Sequence, residues 1–417
     1  MIVFIIPLIS IGLFFSKKLD RNYFSPIGFF SILWGISLLM YEFSPKPYPT
    51  LNLNTQLLIF GAWFLFSLGY VFFRFASQTR INKQISSNRP NVFIKIYSSV
   101  KGRLILHILI LLSFVGAIAF INKIINHLSN PLALIYASQE IRQTIVGGDF
   151  SAGALLNTYT AALIYSTSII TGAIACWYHK KIILYIPIIA AILFDLGNAG
   201  RITTITTIFL WGISYILSWK YSFPNQRIQI PAFVKYFISI LSSALILLIT
   251  FSRSEGRMTM FESLYSYFTG SWIVLDQYIN NLNLSTHFAS TLYPIIYTLY
   301  KLGLWFENPA QYLGSTYYVL SPFGSNLNTF TILTPFYNDF GFIITFALFF
   351  IFGFWASKIY KGYFISQKSQ LLIPLVWIYY VILISLHGWP FVSIGTTVSL
   401  IISYLFIVVL PKKIKFN

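Results

Sequence analysis

Eleven stretches of this chain are apolar and almost free of charge, and they follow one another from the first residues to the last: 2–15, 27–41, 57–73, 104–120, 154–177, 182–194, 202–217, 237–251, 340–356, 371–386 and 391–410. A backbone inside hydrocarbon has no water to bond to, so runs like these fold as helices that satisfy their own N–H and C=O groups. Several are shorter than the ~20 residues of a straight crossing, so their ends extend into polar flanks. Composition agrees: 57% hydrophobic, 9% charged and a mean hydropathy of +0.73. Those values exclude a cytosolic enzyme, a disordered chain and a secreted disulfide scaffold. Cys176 is the sole cysteine, so neither an internal disulfide nor a thiolate metal site forms. The expected fold is an all-α polytopic integral membrane protein, one transmembrane domain over 1–417, with 11 to 12 transmembrane helices.

The net charge of +18 resembles a nucleic-acid signal until its distribution is read. Lys17, Lys18 and Arg21 follow the first apolar run instead of preceding it. That order predicts a retained span with its N-terminus outside, not a cleaved signal peptide. Alternate counting from there leaves only Lys46, Lys123, Arg142, Arg201, Arg253, Arg257 and Lys301 outside, seven of 28 Lys and Arg, with 21 in the cytoplasm. The segment 74–103 supplies seven of the cytoplasmic ones and forms a basic loop. The basic character is topogenic, and no nucleic-acid partner is expected. The C-terminus falls in the cytoplasm.

The longest external segment, 253–339, is rich in aromatics, among them Phe261, Tyr265, Tyr267, Phe268, Trp272 and Tyr278. Its stretch 288–306 is semi-hydrophobic, suited to lying at the membrane surface or partly re-entering the bilayer. A single crossing there would invert the C-terminal orientation.

Ionisable residues gather at outer span ends: Asp195 and Arg201 around a tight turn, Arg253, Glu255 and Arg257 after the eighth run, Asp339 before the ninth, and His387 after the tenth. Charge at membrane depth costs ~2.5–3.5 kcal/mol on insertion scales, which marks such residues for a task. Asp195 and Arg201 have a simpler account as a mutual pair. Asp339 likewise reads as a cap for the span that follows it.

The segment Asn328-Thr329-Phe330-Thr331, followed by Pro335-Phe336-Tyr337-Asn338-Asp339-Phe340-Gly341 at the head of a span, resembles the late external motif of the bacterial O-antigen polymerases, the Wzy-type oligosaccharide repeat-unit polymerases. Ala199-Gly200-Arg201 and Arg253-x-x-x-Arg257 are similar to the same family, as is the layout of spans with one large external loop. Arg142 and Gly153 match the eleven-residue arginine-to-glycine spacing of some members, whereas Arg253 and Arg257 do not.

The resemblance implies a GT-C-like membrane glycosyltransferase in the bacterial inner membrane with its active site facing the periplasm. Such enzymes move a growing glycan from undecaprenyl pyrophosphate onto a lipid-linked repeat unit, with a flippase upstream and a chain-length regulator alongside. Arg201, Arg253, Arg257 and Arg142 suit the pyrophosphate, since guanidinium pairs with phosphate oxygens and stays charged. Asp339, His387 and Glu255 are the candidate acids and bases, with Glu262 and Asp276 behind them. Tyr337, Trp272 and Asp276 are candidates for holding sugar. Neither a DxD nor an HExxH run occurs, and P-loop and dinucleotide fingerprints are missing too, so no metal or nucleotide cofactor is expected. Three alternatives remain: an O-antigen ligase with His287 as its essential external histidine, a lipid-linked oligosaccharide flippase or secondary transporter, and an inactive scaffold. A transporter would show matching halves with ionisable groups at the midplane, and these are not evident.

Overall fold

The computed structural model describes residues 1–77, 91–125, 152–197, 202–224, 226–229, 236, 260–281, 290–308, 319–320, 326–327 and 330–408. Its helices, in chain order, are α1 (Ile2–Asp20), α2 (Pro26–Glu42), α3 (Leu53–Ala76), α4 (Val92–Ser98), α5 (Val100–Ile125) and α6 (Ala152–Tyr178). There follow α7 (Ile186–Gly197), α8 (Ile202–Ser222), α9 (Met260–Asn281), α10 (Tyr293–Lys301), α11 (Leu333–Phe364), α12 (Leu372–Ile384) and α13 (Ile394–Val408). One short antiparallel pairing, Val319–Leu320 with Asn326–Leu327, is the only sheet among the described residues. Six helices are long and apolar enough to cross a membrane and four more are shorter apolar helices. The protein is therefore a helical, multi-pass membrane protein. These ten coincide with ten of the eleven apolar runs; the remaining run, 237–251, lies outside the described residues.

The chain divides into two compact units, one built from Met1–Ile81, Leu248–Ile365 and Val381–Ser393, the other from Asn82–Leu247, Ser366–Tyr380 and Ile394–Asn417.

In the first unit α3 and α11 run parallel in close contact, from Gly61 beside Phe346 to Lys361, whose Nζ donates to the Ser77 carbonyl. Two glycines make the approach possible. A Cβ on Gly353 would stand 1.9 Å from the Phe66 carbonyl oxygen, and one on Gly69 2.0 Å from that of Phe350. Small residues let membrane helices meet backbone to backbone, where dispersion replaces the hydrophobic drive lipid cannot supply. Phenylalanines close the seam on either side, with Phe66–Phe352 ring centroids 5.3 Å apart and Phe73–Phe354 5.0 Å.

Trp34, Trp63 and Trp272 fill the centre of this unit, and each of their indole N–H groups meets a serine hydroxyl. Trp34 donates to Ser385 (2.7 Å), Trp63 to Ser31 (3.0 Å) and Trp272 to Ser37 (2.8 Å). Helix α9 runs antiparallel to α2: Tyr265 donates to the Met40 carbonyl, Ser37 to that of Phe268 (2.5 Å), and Trp272 packs edge-on against Trp34. Much of the external aromatic segment is thus a 22-residue helix integrated into the core. Tyr265, Trp272 and Tyr278 serve packing, which composition alone did not separate from surface lying, while Phe268 remains exposed.

At the end of α3, Arg74 pairs with Asp20 of α1, both side chains almost wholly buried. Tyr70 donates to the same carboxylate at 2.7 Å, and the guanidinium lies over the Tyr360 ring. Although the sequence groups Arg74 with the basic loop 74–103, its side chain lies in the core, and Asp20 is its counter-ion. Residues 78–90 of the loop lie outside the described residues.

Helix α10 has nine residues and rises ~13 Å, well short of the ~30 Å hydrocarbon core. The stretch 288–306 therefore does not cross through this helix. The parallel course of α3 and α11 requires an odd number of crossings between them, and the sequence places five apolar runs there.

In the second unit α6 and α8 run parallel, joined where Ser214 donates to the Ile169 carbonyl at 2.7 Å. Helices α7 and α8 run antiparallel. Asp195 accepts the Thr204 backbone N–H at 2.6 Å at the head of α8, and Trp211 donates to the Leu184 carbonyl at 3.1 Å further along. At least part of the task of Asp195 is thus to cap the next helix. Its expected partner Arg201 lies outside the described residues.

Candidate functional site

The Pro335–Gly341 motif does not simply open a span. Helix α11 begins earlier, at Leu333, and breaks at Gly341, whose φ of 67° and ψ of −170° are non-helical. A side chain there would be strained, so glycine is the residue that fits. Asp339 consequently sits in the last turn before a break, not in the first turn of a helix, and the expected cap of its own span is replaced by another arrangement.

Its carboxylate reaches across to the chain just ahead of α10. Oδ2 accepts the Thr291 backbone N–H (2.7 Å) and the Thr291 hydroxyl (2.5 Å), while Oδ1 lies 3.4 Å from the Ser290 N–H. Asn338 donates to the Ser290 hydroxyl at 3.1 Å. The Thr291 carbonyl in turn accepts the indole N–H of Trp389 at 3.0 Å. Trp389 packs at a tilt of 59° against Phe336, one turn back on the motif helix, with centroids 4.9 Å apart. Three segments distant in sequence, 290–291, 336–339 and 389, thus close on one another.

His387 belongs to this cluster through its chain. The turn after α12 is tied down where Ile332 donates its N–H to the Ser385 carbonyl at 2.7 Å, and the His387 N–H returns to Ile384 at 2.7 Å. Gly388, with φ 137°, lets the chain reverse toward Trp389. The imidazole lies outside the helices, and burial pushes its pKa down to about 4, so it is neutral at physiological pH. Two candidate acid–base residues, Asp339 and His387, are therefore carried by segments that meet.

The other candidates fall elsewhere. Asp276 accepts the backbone N–H (2.8 Å) and side-chain amide (3.2 Å) of Asn52, the residue that caps α3. Glu262 pairs with Lys46 at 2.7 Å. Trp272 is wholly buried in the core with its N–H on Ser37, so its face is closed to a sugar and packing accounts for it. Tyr337 is half-buried at the motif, edge-on to Phe342 at 5.0 Å. Arg142, Arg201, Arg253, Arg257, Glu255 and His287 lie outside the described residues. Ser290 and Thr291 carried no sequence signal of their own, because a serine–threonine pair before a short apolar helix is ordinary. Their partnership with Asp339 is long-range.

Asp195, Asp276 and Asp339 share one device: each carboxylate accepts a backbone N–H at or just ahead of the start of another helix. There the free N–H groups and the helix dipole favour negative charge. Among the described residues, no group of three or more His, Cys, Asp or Glu side chains gathers to hold a metal ion. No known protein family, curated protein or solved structure matches this chain.

Proposed function

We propose that the protein is a polysaccharide repeat-unit polymerase of the bacterial inner membrane. It transfers a growing glycan from undecaprenyl pyrophosphate to a lipid-linked repeat unit on the periplasmic face, with eleven spans and a GT-C-like architecture. The observation that carries this reading is the Pro335–Gly341 motif, in which the residues resembling the polymerases build a clamp rather than a plain helix start. Residue types fixed by long-range hydrogen bonds suit a site whose reacting groups must be held to within fractions of an ångström.

In this reading Asp339 is a positioning residue. It holds the 290–291 segment and, through Thr291 and Trp389, the turn that bears His387. His387 and Glu255 are the acid–base candidates for the acceptor hydroxyl. Arg201, Arg253, Arg257 and Arg142 are proposed for the pyrophosphate, whose charge grows as the glycosyl bond breaks. Tyr337 is proposed to stack on sugar. A flippase supplies the substrate and a chain-length regulator acts alongside.

The lipopolysaccharide ladder of a strain lacking the protein tests the reading. Loss of a polymerase leaves lipid A core bearing a single repeat unit. A core without any repeat would replace this reading with a ligase, and intermediates stranded facing the cytoplasm would replace it with a flippase.

A further inference from the structure

We infer that residues 292–306 form a monotopic lipid contact, with α10 lying in the plane of the membrane interface and phospholipid covering its outer face. The inference concerns how the segment meets the bilayer and is independent of the reaction proposed above.

Helix α10 is apolar on two sides. Tyr293 and Ile296 are buried against the protein. Ile295 within the helix and Leu292 and Leu302 at its two ends are exposed, Ile295 at 55% and Leu302 at 67%, with the polar Thr298 also exposed among them. The chain continues with Leu304, also exposed, and Phe306, which is fully exposed. Contiguous apolar surface of this kind is not left in water. In a protein with several membrane-crossing helices, lipid is the available cover.

Depth follows from length and charge. The helix is too short to cross. Lys301, at its last turn, lies over the rings of Tyr297 and Tyr300, at 5.4 and 5.9 Å from their centroids. Tyrosine with lysine is the composition of the headgroup level, where the ring body is in the acyl boundary and the ammonium reaches phosphate. Glu307 follows immediately, placing acid as well as base at that boundary. The other end is fixed by protein: Asp339 and Trp389 hold Thr291 just ahead of the helix.

Spin labels on the full-length protein in phosphatidylethanolamine–phosphatidylglycerol vesicles test this. Cys176→Ser removes the native thiol, and single cysteines are placed at Ile295, Leu302, Leu304 and Phe306. Lys180→Cys serves as the aqueous reference and Ile351→Cys, on the exposed face of α11, as the hydrocarbon reference. Collision with oxygen against a water-soluble nickel chelate should place the four labels ~5–10 Å below the phosphates, the depth of an interfacial helix. Labels with the chelate accessibility of the Lys180 reference would overturn the inference. So would labels as deep as the Ile351 reference, since the segment would then enter the bilayer core.

Discussion

Asp339 accepts both the backbone N–H and the side-chain hydroxyl of Thr291, so one carboxylate oxygen fixes a residue 48 positions earlier in the chain. An asparagine carbonyl can take the same two donors without the charge. Asp339→Asn should therefore retain fold and long-chain polysaccharide. Asp339→Ala should lower stability by ~1–3 kcal/mol, the cost of a stranded buried donor, and stop elongation. Thermal melts and polysaccharide ladders of both variants check this. Elongation lost in Asp339→Asn at normal protein level would return the charge itself to the reaction.

Thr291 separates its two contacts. Thr291→Val keeps the backbone N–H on Asp339 and removes the hydroxyl, whereas Thr291→Ser keeps both. Serine should behave as wild type. Valine should lose about 1 kcal/mol of stability, the net worth of a typical hydrogen bond, read as a shift in melting temperature.

Arg74 and Asp20 make a sharper prediction because both are buried. Arg74→Met strands a buried carboxylate and should cost ~3–5 kcal/mol, seen as poor accumulation in the membrane. The double variant Asp20→Leu/Arg74→Met removes both charges and should recover most of that loss. Equal defects in the single and double variants would refute the pairing as the cause.

His387 gives a pH dependence. Its folded pKa, about 4, lies below the ordinary 6.5 of an unfolded histidine. The unfolded state thus binds more protons between those values, and stability falls as pH drops from about 6.5 through about 4. Melting of the purified protein should show this slope, and His387→Gln should flatten it.

Sequence patterning located the helices because a membrane crossing needs a long apolar run, and ten such runs became helices. It could not separate the roles of individual polar residues. Trp272 and Tyr265 read as surface aromatics because α9 carries too many serines and tyrosines to register as apolar, yet their partners Ser37 and Met40 bury them. Arg74 read as topogenic because its neighbours in sequence are basic, while its partner is on α1. Asp339 read as a catalytic residue or a cap for its own span, because its partner Thr291 stands 48 positions earlier. In each case the deciding partner lies far away in the chain, where no local pattern reaches.

The glycine-notched seam between α3 and α11 also sets a schedule for biosynthesis. Helices α1 to α3 enter the membrane early, but the surface of Gly69 waits for Gly353, which leaves the ribosome only after most of the chain has been made. Until then the notch of α3 faces lipid or an insertion factor, and the unit that holds it is incomplete. Chains ending before α11 should therefore be recognised as unfinished and degraded, however well their earlier helices have inserted.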